Sequence, residues 1–283
     1  MGELRRRKAL GAAVLILAAC AGLQARPALC ETVLITGANS GIGLEFSRQY
    51  AAKDWTVIVT HRRAQPPKTL TDLAAHYPKV RVESVDVTSL EQVTALAMRL
   101  KDVPIDVLVL NAGVYNDRSK CAADDENCPG DWSTQSFGKL NYALLDTILA
   151  VNVKGALLVA EKLLPNVEAS KQKKIAAISS SNGSLTGSGI GSGPQQGAIF
   201  YRASKAALNR SMQLVAAAVR KDGVTVVMFN PGPTLTEHQS YLKDYKGMLT
   251  TAFTVQNMVR TIDKVTIADS GHFLRYDGVS EPW

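Results

Sequence analysis

Thr36-Gly37-Ala38-Asn39-Ser40-Gly41-Ile42-Gly43 directly follows the apolar run Thr32-Val33-Leu34-Ile35 and opens a helical stretch. A continuous β-branched, apolar run suits a strand buried on both faces. Glycines placed straight after it permit a tight turn, close approach of backbone to a pyrophosphate, and close helix–strand packing. The helix N-terminus beyond them offers N–H donors and a dipole that favours phosphate. The spacing is Gly-x-x-x-Gly-x-Gly, not Gly-x-Gly-x-x-Gly. By itself such a turn also fits a plain strand–helix connection. Its position in the first strand–helix unit of an alternating chain makes it a nucleotide-binding candidate.

The alternation continues outward from that turn. Strand texture returns at Thr56–Val59, Val80–Val85, Ile105–Leu110, Lys174–Ile178, Val224–Phe229 and Gly271–Tyr276. Helical periodicity fills gaps between them, as at Leu90–Leu100, Leu144–Leu164 and Ser204–Val219. This predicts α/β architecture: a single Rossmann-type, doubly wound parallel sheet of about seven strands with helices on both faces. Two stretches break the rhythm. Residues 115–140 are polar and centred on Asp124-Asp125-Glu126, and residues 183–197 are rich in glycine; both read as loops. They follow the fourth and fifth strands, on the side where ligands bind in open α/β sheets.

A chain of 283 residues can bury one substantial core, and its 46% hydrophobic and 20% charged residues are ordinary for a globular protein. The formal charge of +7 does not point to nucleic acid, because residues 1–25 alone carry a net +3 and the rest is spread without a basic stripe. Residues 1–30 are therefore set apart from a domain at 31–283. Arg5-Arg6-Arg7-Lys8 precedes an uncharged apolar run from Ala9 to Leu23, the layout of a secretory signal or a short membrane anchor. Leu17-Ala18-Ala19-Cys20 also resembles a lipoprotein box, and Arg6-Arg7 a weak twin-arginine signal. A membrane-associated, organellar or exported location follows if this leader sorts the chain, and a cytoplasmic one if it is inert. Cys121 and Cys128 bracket the acidic loop; a small disulfide is one reading and two free thiols is the expected one. No zinc-like spacing accompanies them, so no metal is expected.

From Thr36 to Gly43 the chain resembles the dinucleotide motif of short-chain dehydrogenases/reductases, and that family's other signatures follow in order. Asp86, with Val87 after it, stands where the family contacts the adenine. Asn111-Ala112-Gly113 matches the Asn-Ala-Gly segment after the fourth strand. Asn152 matches the catalytic-site asparagine. Ile178-Ser179-Ser180 carries the serine, and Tyr201-Arg202-Ala203-Ser204-Lys205 matches Tyr-x-x-x-Lys. Pro231-Gly232, with Thr234 beyond, resembles the segment beside the nicotinamide carboxamide. The resemblance covers residues 32–283 and is greatest to the C-factor and sniffer-type carbonyl reductase branch. It implies a homo-oligomer and a small-molecule carbonyl or alcohol substrate.

The catalytic set implied is Asn152, Ser180, Tyr201 and Lys205. Tyr201 and Lys205 are four apart and share a helix face. A free phenol with pKa near 10 is a poor base at neutral pH, and a neighbouring ammonium is expected to lower it. Ser180 is preferred over Ser181 because Gly183 follows it at the family's interval. The implied cofactor contacts are Gly37, Asn39, Ser40, Gly41, Ile42, Gly43, Arg62, Asp86, Val87, Asn111, Ala112, Gly113, Tyr201, Lys205, Pro231, Gly232 and Thr234. NADP(H) is expected over NAD(H), because the end of the second strand carries His61-Arg62-Arg63 where NAD-specific sheets place an acid. Two other readings stand beside this one: a nucleotide-binding scaffold of the same fold without catalysis, and a membrane-tethered interaction protein.

Overall fold

The computed structural model describes residues 31–121, 130–186, 197–237, 243–244 and 246–283. The leader therefore lies outside the described residues, as do Cys128 and most of the glycine-rich loop.

The chain runs β1 (Thr32–Ile35), α1 (Gly41–Ala52), β2 (Thr56–His61), α2 (Lys68–His76), β3 (Val80–Ser84), α3 (Leu90–Arg99) and β4 (Val107–Leu110). It continues α4 (Tyr142–Leu149), a π turn (Ala150–Gly155), α5 (Ala156–Glu168), β5 (Lys174–Ile178), α6 (Ile199–Val219) and β6 (Thr225–Asn230). The short β7 (Thr234–Leu235) and β8 (Leu249–Thr250), α7 (Thr251–Lys264) and β9 (Phe273–Arg275) complete it. Seven strands form one sheet in the order β3-β2-β1-β4-β5-β6-β9, every pairing parallel. This is the expected Rossmann-type sheet, with β7 and β8 as a separate parallel pair.

Strand alternation divides the core. Leu34, Ile58, Leu108, Ile175 and Val226 face one side, with α3, α5 and α6 packed over them. Val33, Ile35, Val57, Val59 and Val109 face the other, under α1, α2 and α7. Chain order reverses at β1, which lies between β2 and β4, and ligands bind beyond the carboxyl ends of the strands at such a point.

Three expectations need correction. The helix expected at Leu144–Leu164 spans Tyr142–Glu168 and is interrupted by the π turn. That stretch is apolar enough to cross a bilayer by length and composition, yet half of it is buried in the protein, as suits a core helix. The helix expected from Ser204 starts at Ile199, which places Tyr201 in its first turn. Cys121 is disulfide-bonded, against the expectation of a free thiol.

Candidate active site

All the sequence-nominated side chains except Asn152 line one cleft of about 1310 Å³ at the carboxyl ends of the strands. That exceeds the usual volume of a drug-sized site, roughly 300–1,000 Å³, and can hold a dinucleotide together with a substrate.

One end of the cleft is built on the glycine turn. Gly37 has φ +64, and a Cβ there would lie 2.8 Å from the Ala112 Cα. A Cβ on Gly43 would lie 2.4 Å from the Asn111 side-chain nitrogen. The turn is stitched to the end of β4: Asn111 Nδ2 donates to the carbonyls of Thr36 and Gly37, each at 3.0 Å, and Thr36 Oγ1 accepts from the Asn111 and Ala112 N–H groups. Ser40 stands at the cap of α1 with its Oγ turned to Asn39 Nδ2, not to the helix N–H groups, and the first turn holds no acid. An anion nevertheless sits there: the Glu237 carboxylate accepts from Gly41 N–H at 2.9 Å. A helix start that collects a carboxylate from 196 residues away has the donors a pyrophosphate needs. Along the cleft, Arg62 is exposed just past β2, and Asp86 has one carboxylate oxygen held by Thr88.

The other end gathers the groups for proton chemistry. Among the three consecutive serines, Ser179 is buried and donates to Asn209 at 2.6 Å, whereas Ser180 lines the cleft beside Tyr201 and its Oγ accepts from the Asn182 N–H at 3.2 Å. Lys205 is 5% exposed, donates to the Ile178 carbonyl at 2.8 Å, and lies 5.7 Å from the Tyr201 ring centre. Burial pulls the Lys205 ammonium down to about 8. Burial also raises the Tyr201 phenol above its ordinary value, opposed by the Ser180 hydrogen bond and the Arg202 charge. The expected lowering of Tyr201 is thus reversed, because desolvation outweighs those two influences.

Asn152 stands behind the wall, 1% exposed, in the π turn. Its Oδ1 accepts from Val114 N–H at 2.7 Å, and its Nδ2 donates to the Val114 carbonyl and Ser204 Oγ. A Cβ on Gly113 would lie 3.5 Å from that Oδ1 and 3.8 Å from Lys205 Nζ, so the two side chains flank the same glycine. After β6, Thr234 Oγ1 donates to the Pro231 carbonyl at 2.8 Å.

Local pattern did not single out Tyr115, Trp132, Gln135 or Glu237. Tyr115 lines the cleft beside Tyr201, and Trp132 packs on both rings, with centroid separations of 5.2 and 6.4 Å.

A family model described as short chain dehydrogenase matches residues 31–246. The chain is 32% identical, over 89% of its length and the whole of the other, to the 1-hydroxy-2-glutathionyl-2-methyl-3-butene dehydrogenase of Rhodococcus sp. (strain AD45). It is 30% identical to the C-signal protein of Myxococcus xanthus over 67% of this chain and 99% of that one, in keeping with the branch resemblance. The NADPH-bound carbonyl reductase from chicken fatty liver superposes with a TM-score of 0.75 at 26% identity, covering 90% of this chain and 99% of that one. On these grounds the chain belongs to the short-chain dehydrogenase family and is an NAD(P)-dependent oxidoreductase.

Proposed function

We propose that this protein is an NADP(H)-dependent oxidoreductase that interconverts a small carbonyl compound and its alcohol, with Ser180, Tyr201, Lys205 and Asn152 as its working groups. The observation that carries this reading is the meeting of Ser180, Tyr201 and Lys205 on one wall of the cleft whose far end is the glycine turn. When bound, the nicotinamide cofactor supplies the hydride chemistry.

Ser180 donates a hydrogen bond to the substrate oxygen and stabilises the charge that develops there. Tyr201, held above the usual phenol range, is neutral at pH 7 and is the proton donor in the reducing direction. Lys205, pulled to about 8, exchanges its proton close to neutrality and holds the cofactor ribose. Asn152 anchors the π turn on Val114 and Ser204 and so fixes Lys205's neighbourhood from behind the wall. The exposed Arg62 offers a guanidinium fork to a 2′-phosphate.

The NADPH-bound state of the chicken carbonyl reductase supports the cofactor choice. A panel of carbonyls and alcohols, each assayed with NADPH, NADH and their oxidised forms by absorbance of the reduced cofactor, tests the reading. Tyr201→Phe is expected to lose about 100-fold or more of the rate while binding cofactor normally. Retention of more than about a tenth of the rate removes Tyr201 from the proposed role.

A further inference from the structure

Helix α6 starts without a side-chain cap of its own, because Ala198 stands at the capping position. Its early N–H groups therefore need outside acceptors. One acceptor comes from 66 residues upstream: Gln135 Oε1 accepts from the backbone N–H of Tyr201 at 2.9 Å. The same amide donates through Nε2 to the Tyr115 carbonyl at 2.8 Å. Gln135 is fully buried, so both ends of its side chain are committed in a dry setting.

The surroundings reinforce this bracket. Trp132 and Tyr115 present their rings edge-on to the Tyr201 ring, each at 6.4 Å between centres. Ser136 packs so tightly under the approach to α6 that a Cβ on Gly197 would lie 2.6 Å from its Oγ. The described part of the loop between β4 and α4 thus grips Tyr201 by backbone and ring, while Tyr115 lines the cleft.

We infer that Gln135 is a positioning residue for Tyr201: it ties the backbone of the proton donor to the substrate wall at Tyr115, so that the loop's conformation sets where the phenol stands. The inference rests on Tyr201 being the proton donor. It assigns to the inserted loop a part in the chemistry as well as in lining the pocket. Misplacing a reacting group by about 1 Å can cost on the order of 100-fold in rate.

The test compares wild type, Gln135→Met, Gln135→Glu and Tyr201→Phe as purified full chains. The measurements are the thermal melt, NADPH affinity by fluorescence titration, and kcat against pH with one reducible carbonyl. Gln135→Met, close in volume but without either bond, is expected to lower kcat about tenfold or more while leaving NADPH affinity within about twofold. Gln135→Glu, buried and facing the Tyr115 carbonyl, is expected to hold a proton there, so that its carboxyl still accepts from the Tyr201 N–H and donates to Tyr115; it is expected to keep kcat within about threefold of wild type. Wild-type kcat in Gln135→Met overturns the inference. So does a folded Gln135→Glu variant whose kcat falls about tenfold or more, which decides the matter if the Met variant does not fold. An active Tyr201→Phe would instead sink the proton-donor reading, and is told apart from both.

Discussion

The Glu237 carboxylate accepts a hydrogen bond from the Gly41 N–H at 2.9 Å, at the start of α1. A carboxylate and a pyrophosphate compete for the same donors, and each repels the other. With the cofactor bound at this helix start as proposed, it would displace Glu237, which lies just beyond β7, and so couple that segment to the glycine-turn end of the cleft. Glu237→Gln keeps an acceptor but removes the charge. It is expected to tighten NADPH binding on the order of threefold at low salt, with the difference shrinking as salt is added. Titration of the two proteins at two ionic strengths checks this, and equal or weaker binding by the variant contradicts it.

Lys205 has a stability signature of its own. Its pKa is about 8 in the folded chain against 10.5 when unconstrained, so between those values the unfolded chain binds more protons than the folded one. Stability contributed by this group then rises with pH from about 8 upward, and below 8 the buried ammonium costs on the order of 3 kcal/mol. Tyr201 acts in the opposite sense above pH 10: its folded pKa is raised, so stability falls there. Lys205→Met is expected to abolish turnover without lowering the denaturant midpoint at pH 7, and to flatten the rise between pH 8 and 10. A variant that is less stable at pH 7 and keeps the wild-type slope would count against a buried, desolvated ammonium.

Ser180 and Ser181 separate by geometry. Ser180 is close enough to the Tyr201 phenol to draw its pKa down, while Ser181 opens the short 3-10 turn that follows. Ser180→Ala is expected to cost about 100-fold in kcat, as loss of one oxyanion donor does, and Ser181→Ala less than about threefold. Steady-state rates of the two variants suffice. The reverse ranking moves the assignment one residue along.

The fold was legible because its strands are continuous apolar runs between periodic helices. The expected Thr32–Ile35 and Lys174–Ile178 are β1 and β5 to the residue. The helix from Tyr142 to Glu168 hid its π turn, since one wider turn leaves the helical rise of the chain unbroken, and the Asn152, Val153 and Gly155 that mark it are weak helix formers also found in ordinary helices. Candidates tied to short motifs, such as Thr36–Gly43 and Tyr201–Lys205, could be named because their geometry is local. Gln135 and Glu237 could not, since each acts on a backbone N–H 66 or 196 residues away and neither sits in a pattern. The direction of the Tyr201 pKa was misread for a related reason: spacing reveals the neighbouring lysine but not the desolvation that raises the phenol and lowers the ammonium.

The proposed preference for NADP(H) rests on the end of β2. His61, where an NAD-specific sheet carries an acid, is 2% exposed and accepts from the Arg63 N–H through Nδ1. Burial holds its pKa below the ordinary imidazole value, so at neutral pH it is uncharged and neither repels nor attracts a 2′-phosphate. The charge facing that position comes instead from Arg62, exposed on the cleft, with the half-buried Arg63 beside it on the same lining. A charge-assisted contact of this kind contributes about 1.5–3 kcal/mol, roughly ten- to a hundredfold in favour of the phosphorylated cofactor. Arg62→Asp removes it and adds a carboxylate able to bond the ribose hydroxyls. The ratio of kcat/KM for NADPH to that for NADH is expected to fall by at least the upper end of that range. His61→Asn, which introduces no charge, is expected to change the ratio far less. A wild-type enzyme that uses NADH as efficiently as NADPH, or an Arg62→Asp variant with an unaltered ratio, would show that the arginine only solvates the loop.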